Sequence, residues 1–221
     1  SRGCQDVLDW LPVREVAVAD LPVAAAAGLG EVGPLLKVVF REEHMAEPKA
    51  PEAQFTLQDY YQRPENYRGV FARHLPHLDI LMNTIYWDDR YPRLVTRRWA
   101  RSHYGEGHRP RLQVIGDISC DIGGGIELNV GATDPDEPCY VFDPVADSVT
   151  PGVAGEGPVI MSVDNLPCEL PREASTRFSQ VLRDMVPALA AADFAADFAS
   201  LQLPAHPQRA VDAHRGELAP D

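Results

Sequence analysis

The run RLQVIGDISCDIGGGIE, Arg111 to Glu127, constrains the fold more than any other stretch of this sequence. An apolar segment of strand length leads into two aspartates, Asp117 and Asp121, and three consecutive glycines follow the second. A strand that is apolar on both faces is typical of a parallel sheet covered by helices. In such sheets, ligands bind beside the carboxyl ends of the strands. The stretch therefore predicts an α/β sheet with a candidate binding edge at the glycine turn.

The rest of the chain alternates strand-like and helical patterns, which is the order expected of a parallel α/β sheet. Further strands are predicted at 14–20, 35–40, 78–87 and 158–167, with a short one near the end of the turn-rich segment 123–144. Helical patterns lie at the start of the chain and at 55–78, 96–104 and 171–202. We expect Pro187 to kink or divide the last helix, because proline removes a backbone hydrogen bond there.

Charge and cysteine usage limit the partners and the location. The formal net charge is −13, from 33 acidic and 20 basic residues, whereas a nucleic-acid-binding face or a segment that binds an anionic membrane is basic. No apolar run approaches the ~20 residues that span a bilayer. The start shows no secretory signal, and the four cysteines are widely spaced without a CxxC pair. We predict a cytoplasmic protein with no nucleic-acid and no membrane partner.

A metal centre is not predicted. Structural and catalytic metal sites need three or four convergent ligands. The seven histidines form no cluster of that kind along the sequence.

Polar residues at the strand ends are the candidates for binding. Asp20 ends a predicted strand, where an acidic residue of a dinucleotide fold holds the ribose, although a helix cap or loop aspartate fits equally well. Asp164 and Asn165 follow another strand and are also common turn residues. Asp121 and its glycines would let a flat ring approach the backbone, but a tight turn explains the same residues. Spacing alone leaves these alternatives open.

Three longer motifs, in order, resemble one family: DILMNTIYWDDRYPRLVTR, GDISCDIGGGIE and IMSVDNLPCELPREAS. They are similar to the lysine–2-oxoglutarate reductase/saccharopine dehydrogenase (lysine-forming) family, within the alanine dehydrogenase and transhydrogenase group. The resemblance covers most of the chain and implies a Rossmann-like parallel sheet lacking its first strand. It also implies that this chain corresponds to the family's C-terminal half and that the N-terminal half is absent.

The same resemblance implies the domain organisation. Residues 1–166 would form a partial dinucleotide-binding domain, and residues 167–203 a long helix that returns to an absent substrate domain. Residues 204–221 would be a polar tail. The family's acid–base lysine and histidine belong to the absent half.

Site residues are carried over by position in the matching motifs. Asp121 corresponds to the family's carboxylate beside the nicotinamide and is the predicted catalytic residue. The predicted cofactor-binding residues are Ser1, Gly3, Asp20, Ile85, Tyr86, Ile118, Asp121, Asp164, Asn165 and Leu166.

The resemblance implies an NAD- or NADP-dependent oxidoreductase acting on the CH–NH bond of saccharopine, which is formed from lysine and 2-oxoglutarate. Its partners would be the dinucleotide and a small amino-acid or oxo-acid substrate. An amino-acid dehydrogenase resembling alanine dehydrogenase is one alternative. A non-catalytic nucleotide-binding or interaction fragment is the other, because the glycine fingerprint and the acid–base half are missing from the sequence.

Overall fold

A computed structural model describes residues 2–27, 33–105, 108 and 110–219. The chain divides into two compact units, residues 1–165 and 166–221. No helix in the described ranges is both long and apolar enough to cross a membrane.

Eight α-helices and eleven strands are found in the described residues, many of them short. The helices are α1 (Arg2–Leu8), α2 (Leu21–Ala27), α3 (Glu42–Met45), α4 (Leu57–Gln62), α5 (Arg97–His103), α6 (Pro171–Leu182), α7 (Val186–Ala191) and α8 (Ala205–Arg209). The strands are β1 (Val13–Glu15), β2 (Leu35–Lys37), β3 (Ala46–Pro48), β4 (Tyr67–Gly69), β5 (Ile80–Asn83), β6 (Val114–Asp117), β7 (Cys139–Asp143), β8 (Ser148–Pro151), β9 (Val159–Met161), β10 (Ala213–His214) and β11 (Glu217–Leu218).

The main sheet has five strands in the order β5-β6-β9-β7-β8. Strands β5, β6 and β9 are mutually parallel, whereas β7 runs antiparallel to both of its neighbours. The predicted α/β class is confirmed, but the expectation of a wholly parallel sheet is wrong. Only residues 144–147 connect β7 to β8, and so short a connection can join only antiparallel strands.

Strands β1 and β2 form a separate parallel pair rather than part of the main sheet. The predicted strand 14–20 is too long, since β1 ends at Glu15 and Val18–Asp20 form a 3-10 helix. Helix α2 begins at Leu21 with Pro22 in its first turn, a position that proline favours. The chain therefore leaves the extended conformation before Asp20. Two further antiparallel pairs are β3–β4 and β10–β11.

The first unit has its main core on one face of the parallel strands. Leu81, Ile115 and Ile160 point into it from β5, β6 and β9, and Trp99 of α5 and Leu21 of α2 pack in the same cluster. Burying each such side chain stabilises the fold by about 1.5–3 kcal/mol. The N-cap of α5 is Thr96, whose hydroxyl accepts a hydrogen bond from the Trp99 N–H at 3.1 Å. Strands β5, β6 and β9 are thus fixed relative to one another by a shared core.

The second unit has two helices where one long helix was predicted. Helix α6 ends at Leu182 and α7 begins at Val186, so Pro187 lies in the first turn of α7. Proline lacks the N–H and obstructs the preceding turn, which explains the division expected at this residue. Residues 192–197 are not helical; there the Asp193 carboxylate accepts a hydrogen bond from the Ala195 N–H. The segment predicted as a tail contains α8 and the β10–β11 pair.

Candidate functional site

The carboxyl ends of β5 and β6 lie side by side. Asn83 and Asp117, the last residues of the two strands, are register partners. The Ile118 N–H donates to the Asn83 carbonyl at 2.9 Å, and the Ser119 hydroxyl donates to the Ile85 carbonyl at 2.5 Å. Two stretches predicted to line a cofactor are therefore joined at this edge.

The end of β9 reaches the same edge. The Cys120 Sγ lies 3.2 Å from both the carbonyl and the hydroxyl oxygen of Ser162, the residue after β9. Asp164 and Asn165 follow directly and are exposed. The structure thus brings together the three stretches that carry Ile85 and Tyr86, Asp121, and Asp164 and Asn165. We call residues 83–87, 117–125 and 162–165 the carboxyl edge.

A buried carboxylate lies at the base of this edge. Asp117 is 1% exposed, and its two oxygens accept hydrogen bonds from the side-chain amides of Asn83 at 2.8 Å and Asn129 at 2.9 Å. Both amides are themselves buried. No salt bridge of Asp117 is found within the described part of the chain. Two hydrogen bonds from neutral amides therefore compensate its burial, and we call these three residues the amide clamp.

The glycine turn is shaped by its neighbours. The Gly123 N–H donates to the Asn129 carbonyl at 2.7 Å, and the Gly124 N–H donates to the Asp121 carbonyl at 2.8 Å. A Cβ at Gly124 would lie 2.5 Å from the Asp121 Cβ and 3.1 Å from the Trp87 ring. Gly123 has a φ of +64°, and a Cβ there would meet no atom within 4 Å. Close packing thus requires Gly124, and Gly123 is the glycine that faces open space.

The side chain of Arg93 forms hydrogen bonds with the backbone of the glycine turn. Arg93 donates from Nη2 to the Gly123 carbonyl at 2.9 Å and from Nε to the Gly124 carbonyl at 3.1 Å. Its guanidinium lies 5.0 Å from the centroid of the Trp87 ring. The Trp87 indole N–H in turn donates to the Tyr91 carbonyl at 3.1 Å. The segment DDRYPRL and the glycines therefore pack against each other. Of Gly123 and Gly124, only Gly123 leaves open space in which a flat ring could approach the backbone.

Asp121 lies half-buried at the start of the glycine turn. Burial, followed by the charge of Asp117, raises the pKa of the Asp121 carboxyl above its ordinary value. The preceding residue, Cys120, has a φ of +53°, a left-handed conformation that costs about 1–2 kcal/mol outside glycine. A carboxyl group with a raised pKa on a locally strained turn is typical of functional sites.

Two large apolar side chains of the carboxyl edge are exposed. Tyr86 is 79% exposed and Ile122 is 62% exposed, on the two segments that the Ser119–Ile85 bond joins. Gly123, over which a Cβ would meet no atom within 4 Å, lies next to Ile122 in the same segment.

Other predicted residues belong to segments outside the carboxyl edge. Gly3 is exposed in the first turn of α1, and Asp20 is exposed in the 3-10 helix Val18–Asp20. No hydrogen bond in the described ranges joins either residue to the carboxyl edge. Leu166 begins the second unit and a 3-10 helix there. Ser1 lies outside the described residues.

Asp20 was predicted from its place at a strand end, and that premise is wrong. The acidic residue that ends β1 is Glu15, whose carboxylate lies 3.2 Å from the Lys37 Nζ. Lys37 ends β2 and is also bonded to Asp9 at 2.8 Å. The sequence run REVAVAD contains two acids, and alternation alone did not show which one the strand reaches.

Three residues of the site, Trp87, Arg93 and Asn129, were not singled out from the sequence, whereas Asn83 was placed at a strand end. Asn83 interrupts the apolar run LDILMN, and a polar residue within a buried strand is a usable signal. Asn129, Arg93 and Trp87 carry no such signal, because their roles depend on contacts across 12, 31 and 37 positions of sequence that only folding creates. No group of three or more candidate metal ligands occurs in the described residues. A cavity of about 320 Å³ lies elsewhere, at the amino ends of β6 and β9.

Comparison with known proteins finds relatives that are named as enzymes. It is 34% identical over 230 residues to alpha-aminoadipic semialdehyde synthase of Arabidopsis thaliana, a match that covers 99% of the chain and 21% of the relative. The mitochondrial alpha-aminoadipic semialdehyde synthase of Bos taurus is 28% identical over 99% of the chain, and that of Mus musculus is 30% identical over 82%. No family model matches the chain.

The relatives indicate both the class of protein and the family. The chain is homologous to part of a synthase, and the similarity includes the carboxyl edge. Its homologues are the alpha-aminoadipic semialdehyde synthases, so the predicted resemblance to the lysine–2-oxoglutarate reductase/saccharopine dehydrogenase family is confirmed. The chain spans about a fifth to a quarter of the length of these relatives. The mammalian relatives are named mitochondrial, and the cytoplasmic location stays a prediction.

Proposed function

We propose that this chain is the dinucleotide-binding part of an NAD(P)-dependent oxidoreductase that acts on the CH–NH bond of saccharopine. The observation that carries the proposal is the convergence of three motifs at one sheet edge, with Asp121 between them. The homology to alpha-aminoadipic semialdehyde synthases favours this reaction over that of an alanine-dehydrogenase-like enzyme.

The cofactor would bind along the carboxyl edge. The exposed faces of Tyr86 and Ile122 and the open space over Gly123 would accept the nicotinamide. Asp164 and Asn165, exposed after β9, offer polar atoms for its ribose. When bound, the dinucleotide supplies the hydride that reduces the carbon–nitrogen double bond formed between lysine and 2-oxoglutarate.

Asp121 would bind the nitrogen of the substrate. Its raised pKa means that the carboxyl group exchanges a proton more readily near neutral pH than an ordinary aspartate does. In its ionised form it stabilises positive charge on a substrate nitrogen in a partly desolvated cleft. Both roles need the carboxyl group held in place, which the glycine turn does through the bond from the Gly124 N–H to the Asp121 carbonyl.

We further propose that one additional parallel strand joins the two sheets of the first unit. In a doubly wound dinucleotide fold the first strand lies between the second and the fourth. If β1 and β2 are the second and third strands and β5 is the fourth, the absent strand pairs with β5 on one side and β1 on the other. Strand β5 is an edge of the main sheet, and its Ile80 and Met82 are 59% and 42% exposed. An edge strand with exposed apolar side chains is normally paired or covered.

Hydrogen exchange tests the strand. The chain is compared with a version extended by the preceding ~30 residues of its gene, about one strand, turn and helix start. We expect the amides on the outer edge of β5 to become protected, with the amides of β6 unchanged as the internal control. Equal exchange at β5 in both proteins would contradict the added strand.

The second unit would contact the substrate domain of the same protein. Helices α6 and α7 expose the apolar side chains of Phe178, Val181 and Val186, which are 67%, 49% and 54% exposed. Phe178→Asp is expected to lower the unfolding temperature of the whole protein but not of this chain alone. Gln180→Asp, a charge added at an exposed polar position of α6, is the matched control. An equal effect of both substitutions would exclude docking through this stripe.

Calorimetric titration of the chain with NADH and NADPH tests the cofactor site. We expect binding of at least one of them, and the stronger ligand identifies the cofactor. Tyr86→Ala is expected to weaken binding, because it removes exposed aromatic surface at the carboxyl edge. Tyr61→Ala removes a partly exposed tyrosine of α4 and is the control. Absence of binding to either dinucleotide would support the alternative of a non-catalytic fragment.

Turnover tests the reaction itself. For the whole protein we expect NAD(P)H oxidation with lysine plus 2-oxoglutarate and not with pyruvate plus ammonium. For this chain alone we expect no turnover, because the resemblance assigns the acid–base lysine and histidine to the other half. Saccharopine formation by the isolated chain would show that the reaction needs only the residues present here.

A further inference from the structure

The amide clamp connects one buried carboxylate to two separate loops. Asn83 Oδ1 accepts the Ile85 N–H at 3.5 Å, and Asn129 Oδ1 accepts the Gly131 N–H at 3.3 Å. Each asparagine therefore bonds Asp117 with its NH2 group and the backbone two residues ahead with its oxygen. The same unit, an amide between a carboxylate and a loop N–H, occurs on both sides of Asp117.

These two loops are the ones that surround Asp121. The Asn83 side leads to Ile85 and Tyr86, while the Asn129 carbonyl accepts the Gly123 N–H at 2.7 Å. The Tyr140 hydroxyl closes the second side, accepting the Val130 N–H at 2.9 Å and lying 3.3 Å from Asn129 Oδ1. Among described side chains, no buried nitrogen or oxygen lacks a hydrogen-bond partner. The network is fully satisfied and therefore fixes one arrangement of the loops.

The hydrogen-bond pattern also sets the charge of Asp117. Both of its oxygens accept bonds from NH2 donors, which is the pattern of an ionised carboxylate, since a protonated one would carry an O–H donor. A buried negative charge without a cationic partner persists only when hydrogen bonds compensate its desolvation. A fixed negative charge therefore lies behind the half-buried Asp121.

We propose that Asp117 is a positioning residue for the candidate site: its buried carboxylate orients Asn83 and Asn129, which hold the Ile85 and Gly123–Gly131 segments around Asp121, and its negative charge acts on Asp121 together with the burial of that residue. The ionisable and charged groups near the turn are Asp117 of β6, Cys120 of the turn itself, Tyr140 of β7, and Arg93, which hydrogen-bonds to the glycine carbonyls. The link to catalysis rests on the proposed function, whereas the link between the two aspartates does not.

The direct test is Asp117→Asn in the 221-residue chain, without cofactor or substrate. The side-chain carboxyl of Asp121 is followed by carbon NMR over a pH titration, and backbone amides are followed by hydrogen exchange. We expect the midpoint of Asp121 to fall, because the neighbouring negative charge is removed. We expect the Ile85 and Gly131 amides to exchange about tenfold faster or more, because an amide at position 117 faces a second NH2 donor.

Two controls separate this effect from general damage. Asp136→Asn makes the same chemical change at an exposed aspartate of the 134–137 turn and is expected to leave the Asp121 midpoint unchanged. The Leu94 amide, bonded to the Gly125 carbonyl at 2.8 Å, is expected to stay protected in Asp117→Asn. A folded Asp117→Asn chain with an unchanged Asp121 midpoint overturns the proposal.

If Asp117→Asn does not fold, the exchange variant Asn83→Asp/Asp117→Asn decides the matter. It keeps one carboxylate and one amide in contact between the two strand ends, so we expect it to fold and to keep the high Asp121 midpoint. An unfolded exchange variant, or a folded one whose midpoint has dropped to that of an ordinary aspartate, overturns the proposal. Because these measurements use no dinucleotide, a failed cofactor titration leaves their outcome intact.

Discussion

Asp117 and Asp143 each end a strand of the same sheet, at opposite edges. Asp117 ends β6 at the carboxyl edge, where two buried asparagines hold it. Asp143 ends β7, which runs antiparallel, and therefore lies at the cavity beside the amino ends of β6 and β9. There its Oδ1 accepts the N–H groups of Val145 and Ala146 at 2.8 and 2.9 Å, closing the turn into β8.

Aspartate thus has a different structural role at each of the two edges. At one edge the aspartate is buried and joins loops distant in sequence, and at the other it forms a local turn. In a local turn the carboxylate is hydrogen-bonded by backbone N–H groups only two or three residues away. Its loss therefore affects only the hairpin that contains it. The buried carboxylate depends on partners 34 and 12 positions away, so its loss affects the whole edge. A cavity of about 320 Å³ lies beside the local turn, at the edge opposite Asp117.

The largest expected difference is between Asp117→Ala and Asp143→Ala. Removing the Asp117 carboxylate leaves two buried amides without an acceptor and a small cavity, which we expect to lower the free energy of unfolding by about 3–5 kcal/mol. Asp143→Ala loses a turn cap and is expected to cost about 1 kcal/mol. Urea unfolding monitored by circular dichroism measures both. Equal losses would mean that the two edges do not differ in the way the hydrogen bonds indicate.

A second contrast lies within the glycine turn. Gly124→Ala places a Cβ 2.5 Å from the Asp121 Cβ and is expected to cost about 2–3 kcal/mol and to displace Asp121. Gly123→Ala meets open space, and its cost is limited to the positive φ, about 1 kcal/mol. Unfolding in urea gives the two stabilities, and dinucleotide titration gives the effect on the site. A smaller loss for Gly124→Ala than for Gly123→Ala would contradict the packing described here.

Arg93 gives a smaller effect. Arg93→Ala removes bonds to the carbonyls of Gly123 and Gly124 and the contact with Trp87, and we expect a loss of about 1–2 kcal/mol. Arg90 forms an exposed pair with Asp88, and Arg90→Ala is expected to cost less than about 1 kcal/mol. Thermal unfolding of the two variants side by side tests this. If the Arg90 variant lost as much stability, the support of the glycine turn by Arg93 would be refuted.

The smallest effect is the pH dependence of Asp121. Its pKa in the folded chain is raised, so its contribution to stability is present below its ordinary value near 3.8 and is lost as pH rises through the folded value. Asp121→Asn is therefore expected to raise the free energy of unfolding slightly at neutral pH. Near pH 3 it is expected to have no such effect. Urea unfolding at both pH values checks the sign, and a destabilised variant at neutral pH would contradict a raised pKa.

Sequence patterns located much of this site. The alternation of strands and helices predicted the α/β class, and the strand-end rule pointed to 83–86, 117–125 and 164–165, which the structure brings to one edge. The rule failed at Asp20, because the short strand β1 turns towards α2 before reaching it. It also treated β7 as one more parallel strand, since the hydrophobic pattern of a strand contains no information about its direction.

The sequence by itself determined the positions of β5, β6 and β9, the division of the last helix at Pro187 and the family, because these depend on local residue types and ordered motifs. The sequence also placed Asp117 within a strand and Asp121 just past it. Only the tertiary structure decided which partners hold Asp117, which glycine faces open space and which arginine supports the turn. Asp117 and Asp121 are the same residue four positions apart. What separates them is that Asn83 and Asn129, brought in by folding, surround the first and leave the second at the open edge.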